Sequence, residues 1–196
     1  MFAKKLDIIT LVLLVASIAV NVLLAHQVLK LRADIQNIQS QPSSSLPSIA
    51  GTRILAMDAL SLDDQPEHIS FVDGSQSGKA KVLYIYSPTC GWCARNLGNI
   101  TKLFDLKHNQ FDFIGVSLSG EGLKAYIKSA GFPLQSVYQP STGAVSALHL
   151  DSTPETIVID QSGVVRKVWV GAYTEDKCHE VEEYFHVTPG SLKKVL

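Results

Sequence analysis

The sequence predicts an α/β domain with a mixed central sheet flanked by helices, preceded by one N-terminal transmembrane helix. Two observations predict the sheet. Short apolar runs rich in β-branched and aromatic residues alternate with helical patterns, and two such runs are joined by a tight turn near the end of the chain. A third observation predicts the transmembrane helix: the chain is 46% hydrophobic, and the excess lies at its N-terminal end.

The composition of the 196-residue chain excludes several classes of protein. Its 17 Lys and Arg against 18 Asp and Glu give no basic field, so we expect no nucleic-acid partner. Its apolar content excludes a chain that is disordered throughout. Three cysteines are too few for a fold held together by disulfides.

Residues 6–25 form the predicted membrane span. A helix of this length reaches about 30 Å, the thickness of the hydrocarbon core of a bilayer. Lys4 and Lys5 would also suit a cleaved signal peptide, but residues 23–25 lack the small-x-small cleavage pattern. We therefore expect residues 1–25 to be an uncleaved anchor. Within residues 6–25 the residues that are not apolar are Asp7, Thr10, Ser17 and Asn21.

Residues 26–48 read as a helical stalk followed by a flexible linker. Apolar residues continue at heptad spacing after the span, so a weak dimer through this helix is one interpretation and a solvated stalk is the other. Residues 41–48 are rich in Ser and Pro, which breaks the helix. Residues 49–196 then have the composition and length of an ordinary globular domain.

The pattern of this domain predicts five strands and four helices. We expect the strands at 81–86, 111–118, 135–138, 156–160 and 164–170. We expect the helices at 90–107, 120–130, 142–149 and 174–186.

Cys90 and Cys93 are the candidate reactive residues. Their i, i+3 spacing on a helix brings both sulfurs to one face, close enough to bridge. Cys90 falls at the helix N-terminus, where unpaired N–H groups stabilise a thiolate, whereas Cys93 lies one turn further in. This placement predicts that Cys90 attacks a disulfide and Cys93 resolves the mixed disulfide. A structural disulfide is the alternative.

Half of a zinc site is a further alternative for the two cysteines. Zinc prefers four ligands, and the additional candidates are His149, Cys178 and His179 at irregular spacing, so we expect no metal. The helical pattern also places Cys178 among apolar residues, which favours a buried core position over a third redox thiol.

Two segments of the chain together resemble the thioredoxin superfamily. They are residues 86–93 (Tyr-Ser-Pro-Thr-Cys-Gly-Trp-Cys) and residues 152–160 (Ser-Thr-Pro-Glu-Thr-Ile-Val-Ile-Asp). The similarity is closest to the membrane-anchored TlpA/ResA/CcmG-type thiol–disulfide oxidoreductases, and it covers about residues 79–185. It implies a thioredoxin-like fold in which Pro154 is cis beside the dithiol and the Thr153 backbone pairs with a substrate chain. An ordinary strand-entry proline is the alternative for Pro154.

The sequence also departs from that family's pattern. Many relatives place a buried acid at the positions of Tyr84 and Asn96, so the proton acceptor for Cys93 is not identified, and Glu155 is a candidate by its proximity to Pro154. Gly91 and Trp92 lie between the cysteines. We expect this dipeptide to tune the reactivity of the pair and Trp92 to be exposed for substrate contact.

The resemblance implies a membrane-tethered oxidoreductase that reduces protein disulfides outside the cytoplasm, with the Cys90–Cys93 disulfide as its only redox group. Some relatives act in cytochrome c maturation. The positive charges flanking the span are nearly balanced, so they do not fix its orientation. The implied disulfide chemistry therefore decides it, and we expect the domain on the extracytoplasmic side of the cell membrane. A membrane electron-transfer partner would restore the dithiol.

Two other functions remain as alternatives at this point. One is copper delivery, with thiolates and His149 as Cu(I) ligands. The other is a thiol peroxidase, of whose motif Pro88-Thr89-Cys90 is a compressed version.

Overall fold

The computed structural model describes residues 49–72 and 78–195, together with Gln27, which is helical. The predicted span at residues 6–25 and the rest of the stalk and linker lie outside the described residues. Within the described part, no helix has both the length and the apolar character needed to cross a bilayer.

A mixed sheet forms the centre of the domain, as the sequence predicts. In the described part of the chain it has seven strands in the order β2-β1-β5-β4-β3-β6-β7. The strands are β1 (Ala56–Ser61), β2 (Pro66–Ser70), β3 (Ala80–Tyr86), β4 (Phe111–Ser117), β5 (Gln135–Tyr138), β6 (Glu155–Ile159) and β7 (Val165–Val170). The helices are α1 (Gly91–Lys107), α2 (Leu123–Ala130), α3 (Thr142–Leu148) and α4 (Glu175–Tyr184).

Strand pairing is parallel in the middle of the sheet and antiparallel elsewhere. β3 pairs with β4 and β4 with β5 in parallel, whereas β3–β6, β6–β7, β1–β2 and β1–β5 are antiparallel. The crossover helices α1 and α2 connect the parallel strands, as expected for such connections. The five strands and four helices expected from sequence are confirmed, with ends shifted by a few residues.

The β1–β2 hairpin is the part of the sheet that the sequence does not predict. Its strands carry charged or titratable residues such as Asp58, Glu67 and His68, and they lack a run of β-branched residues. The hairpin forms because Met57 pairs with Ile69 and both are buried against the rest of the domain. Tertiary packing therefore overrides weak local propensity here.

The sheet divides the core into two clusters, one on each face. Alternation along β3 sends Tyr84 to one face and Ile85 to the other. The Tyr84 face packs against α1 and α4, and its cluster includes Tyr86, Cys93, Ile100, Val158 and Phe185. The Ile85 face packs against α3, and its cluster includes Leu83, Leu148, Ile157 and Ile159.

One face of helix α1 is buried against the sheet. Its buried residues include Cys93, Asn96, Ile100, Leu103 and Lys107, at the 3-4-3-4 spacing of one helical face. Cys93 is thus buried because it is the first residue of this face.

The β6–β7 turn is fixed by Asp160 and Gly163. Partial burial opposes ionisation of Asp160, but hydrogen bonds from Ser162, Val164 and Arg166 lower its pKa to about 2. Gly163 has φ +79°, and a Cβ there would lie 2.5 Å from the Ile54 carbonyl oxygen. Only glycine fits this position without strain.

The C-terminal segment is fastened back onto the domain. The buried Glu182 carboxylate accepts hydrogen bonds from the Gly190 and Leu192 N–H groups at 3.0 and 2.7 Å. Further on, the Lys193 N–H donates to Asn99 Oδ1 at 2.8 Å, and Asn99 Nδ2 donates to the Lys193 carbonyl at 2.7 Å. Residues 190–193 are therefore held against α4 and α1.

Candidate active site

Cys90 and Cys93 form a disulfide at the N-terminus of α1, with Cα atoms 5.2 Å apart. Strand β3 ends at Tyr86, and the turn that follows closes through a hydrogen bond from the Cys90 N–H to the Ser87 carbonyl at 3.1 Å. Cys90 is the N-cap residue, in extended conformation, and its Sγ accepts a hydrogen bond from the Cys93 N–H at 3.0 Å. The strand and the helix therefore fix the position of both sulfur atoms.

The two cysteines differ in exposure. Cys90 is half-buried, whereas Cys93 is fully buried in the cluster that contains Tyr84 and Tyr86. After reduction, the N–H groups of the first turn would stabilise a thiolate at Cys90, and that turn holds no acidic side chain to oppose it. The geometry therefore suits attack by Cys90 and resolution by Cys93.

The Thr153–Pro154 peptide bond is cis, as the resemblance implies. Thr153 is half-buried and Pro154 is buried. Antiparallel pairing of Ile85 with Glu155 brings Pro154 next to the end of β3, the strand that leads into Cys90. The fold thus gathers the dithiol and the cis-proline segment at one edge of the sheet.

Behind Cys93 lies a buried polar group of residues centred on Asn96. Asn96 Oδ1 accepts hydrogen bonds from the Tyr173 N–H and from Asn99 Nδ2, both at 3.1 Å. Tyr173 Oη is 2.8 Å from Thr156 Oγ1. Asn96 is a candidate from the sequence, whereas Tyr173 and Thr156 are not, because no local pattern links residues so far apart.

Tyr84 completes this buried polar group but cannot serve as a base. Burial raises the pKa of Tyr84 far above its usual value, and the nearby Asn96 amide only partly offsets this. Neither Tyr84 Oη nor Asn96 Nδ2 meets a hydrogen-bond partner among the described residues. Tyr84 and Asn96 are thus neutral polar residues at the two positions where the resemblance leads one to expect a buried acid.

Glu155 is a buried acid on the other face of the sheet from Cys93. It pairs with Ile85, and strand alternation puts it on the side of Ile157. Desolvation, followed by repulsion from Asp151, raises its pKa from 4.5 to about 8. Glu155 is 3% exposed, and its Oε2 has no hydrogen-bond partner in the described part of the chain.

Trp92 and Arg95 form an exposed surface beside Cys90. Trp92 is 51% exposed, as expected, and the Arg95 guanidinium carbon lies 4.8 Å from its ring centroid, a cation–π contact. Gly91 is exposed, and an added Cβ would meet no atom within 4 Å. Sequence analysis did not identify Arg95, although its i+3 spacing from Trp92 was visible.

The remaining candidate ligands lie apart from the dithiol or within the core. Cys178 is buried, and its Sγ is 3.7 Å from the Tyr173 carbonyl oxygen. Burial, then the charges of Glu182 and Glu175, raises the pKa of its thiol. His149 is exposed at the end of α3. Across residues 49–72 and 78–195, no three His, Cys, Asp or Glu side chains are grouped to hold a metal ion.

Fold and site together define a thioredoxin-like protein whose chemistry is thiol–disulfide exchange at Cys90 and Cys93. The Redoxin family model matches residues 41–187, which is most of the chain. The chain belongs to the Redoxin family.

Solved structures of thioredoxin-like proteins share this fold. The thioredoxin domain of a thiol-disulfide oxidoreductase from Bacteroides vulgatus matches with a TM-score of 0.55 and 17% identity, over 69% of this chain and 97% of that one. A protein assigned as thiol:disulfide interchange protein DsbE from Chlorobium tepidum gives 0.56 and 15%, over 70% and 96%.

A secreted disulfide oxidoreductase of Mycobacterium tuberculosis, described as homologous to DsbE of E. coli, gives a TM-score of 0.51 and 13% identity, over 66% of this chain and 93% of that one. No curated protein sequence matches the chain significantly.

Proposed function

We propose that this protein is a thiol–disulfide oxidoreductase of the DsbE/CcmG type that reduces protein disulfides outside the cytoplasm while tethered to the cell membrane. The observation that carries the proposal is the asymmetry of the disulfide. A half-buried Cys90 caps helix α1, and a fully buried Cys93 lies one turn behind it. An accessible attacking thiol and a shielded resolving thiol suit directional disulfide exchange, because the exchange rate depends on access to each sulfur.

The first step is attack of the Cys90 thiolate on one sulfur of a substrate disulfide. A bond forms between Cys90 Sγ and that sulfur, the substrate S–S bond breaks, and its second sulfur leaves as a thiolate that takes up a proton. The N–H groups at the start of α1 stabilise the attacking thiolate. The half-buried position of Cys90 gives a protein substrate access to it.

The second step is attack of Cys93 on Cys90 Sγ within the mixed disulfide. Cys93 loses its proton, the intermolecular bond breaks, and the first substrate sulfur leaves as a thiol after protonation. The products are a substrate dithiol and the Cys90–Cys93 disulfide of this structure. Two electrons have passed to the substrate, so a donor must restore the dithiol before the next cycle.

The cellular setting is part of the proposal. The apolar residues 6–25 support a membrane anchor, and a tethered reductase outside the cytoplasm needs a membrane electron-transfer partner as its donor. Two structural neighbours, a protein assigned as thiol:disulfide interchange protein DsbE and a secreted disulfide oxidoreductase, support a role in thiol chemistry outside the cytoplasm. Cytochrome c maturation is one process that would supply protein disulfides to it.

The central experiment measures disulfide reduction by the full chain in mild detergent, with insulin as the substrate. We expect dithiol-dependent turnover in the wild type and none in Cys90→Ser. Equal rates for the two proteins would contradict the proposal. Equilibration with glutathione gives the direction: a potential near that of thioredoxin, about −270 mV, indicates a reductase, and one near that of DsbA, about −120 mV, would indicate an oxidase.

A second experiment tests the anchor. Membranes from cells that express the full chain are washed with alkaline carbonate and then treated with protease from the extracytoplasmic side. We expect the chain to stay with the membrane and residues 49–196 to be accessible. Release by carbonate, or protection from the protease, would contradict the proposed tether or its orientation.

A further inference from the structure

A basic groove lies between the outer face of α1 and the C-terminal segment, and it begins at Arg95, which stacks on Trp92. It has a volume of about 660 Å³, and four cationic residues line it: Arg95, Lys102, Lys193 and Lys194. The chain as a whole has a formal net charge of −1, so this concentration of positive charge is local.

The groove is built by the tertiary structure. Asn99 sits between Arg95 and Lys102 on α1, and its two hydrogen bonds to the backbone of Lys193 hold the C-terminal segment along the helix. The two lysines of that segment thereby face the two cations of the helix. Lys194 is 3.4 Å from Glu175, so one acid lies at the rim.

The groove is continuous with the exposed surface around Cys90. Arg95 both lines the groove and stacks on Trp92, which lies two residues after Cys90. The helix rises about 16 Å from Gly91 to Lys102, a distance that about five residues of extended chain would span. A protein segment whose disulfide reaches Cys90 could therefore continue into the groove.

We propose that the basic groove selects protein substrates in which acidic residues lie within about five residues of the disulfide. The inference rests on the proposed reductase function and names its substrate class. Asp and Glu side chains would approach the exposed Lys102 and Lys193, raise the rate of productive encounter and fix the orientation of the segment. A concave groove that begins at Arg95 fits a single chain better than it fits a flat bilayer surface.

Two synthetic peptides test the proposal. Both carry the same disulfide loop, and the flanking residues are three Asp or Glu in one peptide and Ser or Gln in the other. The full chain, fully reduced beforehand and in neutral detergent, is mixed with each peptide, and the second-order rate constant of the single turnover is measured. We expect about a 10-fold preference for the acidic peptide at low salt, falling towards 1 at high salt as the charges are screened.

The double variant Lys102→Glu/Lys193→Glu should lose this preference while it still reduces the neutral peptide. Lys124→Glu, an equal change per site at an exposed position on α2, is the matched control and should keep the preference. Unfolding temperatures of the variants check that the fold is retained, and Lys102→Gln/Lys193→Gln should give an intermediate preference.

The outcomes separate the two proposals. If neither peptide is reduced, the proposed function fails. If both are reduced equally by the wild type, the function stands and the groove inference is overturned. It is also overturned if the lysine variants keep the peptide preference but lose binding to phosphatidylglycerol vesicles, because the groove would then serve lipid headgroups.

Discussion

The two sides of the Cys90–Cys93 disulfide have opposite surroundings. On the Cys90 side lie the half-exposed Trp92, the stacked Arg95 and the basic groove. On the Cys93 side lie a packed aromatic cluster and a buried polar group, two of whose atoms meet no hydrogen-bond partner among the described residues. This contrast suits Cys90 to meeting a substrate and Cys93 to releasing it, although the two residues are only three positions apart.

The largest effect is expected from replacing the two cysteines one at a time, because each has a different role in turnover. Cys93→Ser should stop turnover but leave the attack by Cys90 intact, because only the resolving thiol is lost. The covalent complex with a peptide substrate should accumulate and be visible on a non-reducing gel or by mass spectrometry. Cys90→Ser is the control and should form no such complex; a complex formed by Cys90→Ser would reverse the roles assigned to the two sides.

The next largest effect is expected from Glu155, which makes the free energy of unfolding depend on pH. Its pKa is 4.5 when unperturbed and about 8 in the fold, so the folded state binds its proton more tightly. The stability from this group is fully present below pH 4.5 and is lost as the pH rises to about 8, by up to about 5 kcal/mol.

Glu155→Gln should remove this dependence. Urea unfolding of the oxidised protein should show the variant more stable than wild type at pH 9, with the difference shrinking towards pH 4. An equal difference at both pH values would contradict the assignment. Asp151→Asn should lower the Glu155 pKa and shift the wild-type profile to lower pH, because the charge of Asp151 is the second cause of the raised pKa.

Asn96 should matter more to stability than Tyr84 does. Asn96→Leu keeps similar volume but leaves the buried Tyr173 N–H without its acceptor, which should cost about 1–3 kcal/mol in urea unfolding. Tyr84→Phe is the matched control, since it removes a hydroxyl that has no partner in the described residues, and it should be neutral or stabilising. A larger loss for Tyr84→Phe would show that its hydroxyl is hydrogen-bonded in solution.

The smallest effect on stability is expected on the exposed side. Trp92→Ala should change the free energy of unfolding by about 0.5 kcal/mol or less, because the ring is largely in solvent. It should still lower kcat/KM for a protein substrate several-fold by raising KM, as the ring offers contact area beside Cys90. If the loss instead appears in kcat for the resolution step, Trp92 acts on the step assigned to the Cys93 side, and the proposed separation of roles between the two sides is wrong.

The sequence predicted the central strands, the helices and the dithiol because each has a local signature. Buried strands show as continuous apolar runs, and a CxxC motif after a strand predicts both the position of the two cysteines and their redox role. The β1–β2 hairpin had no such signature, since Asp58, Glu67 and His68 mask it and its stability comes from pairing within the sheet. Glu155 was proposed from its proximity to Pro154, but strand alternation puts it on the face opposite Cys93.

Residue order alone was therefore enough to predict the α/β class, the redox pair and the order in which the two cysteines are expected to act. These depend on residue spacing, which is a property of a single helix or strand. The groups that surround the pair come together only in the folded domain. Tyr173 reaches Asn96, and Lys193 reaches Asn99, across 77 and 94 residues of sequence. Such contacts exist only once the sheet and α1 have been packed together, so no local pattern encodes them.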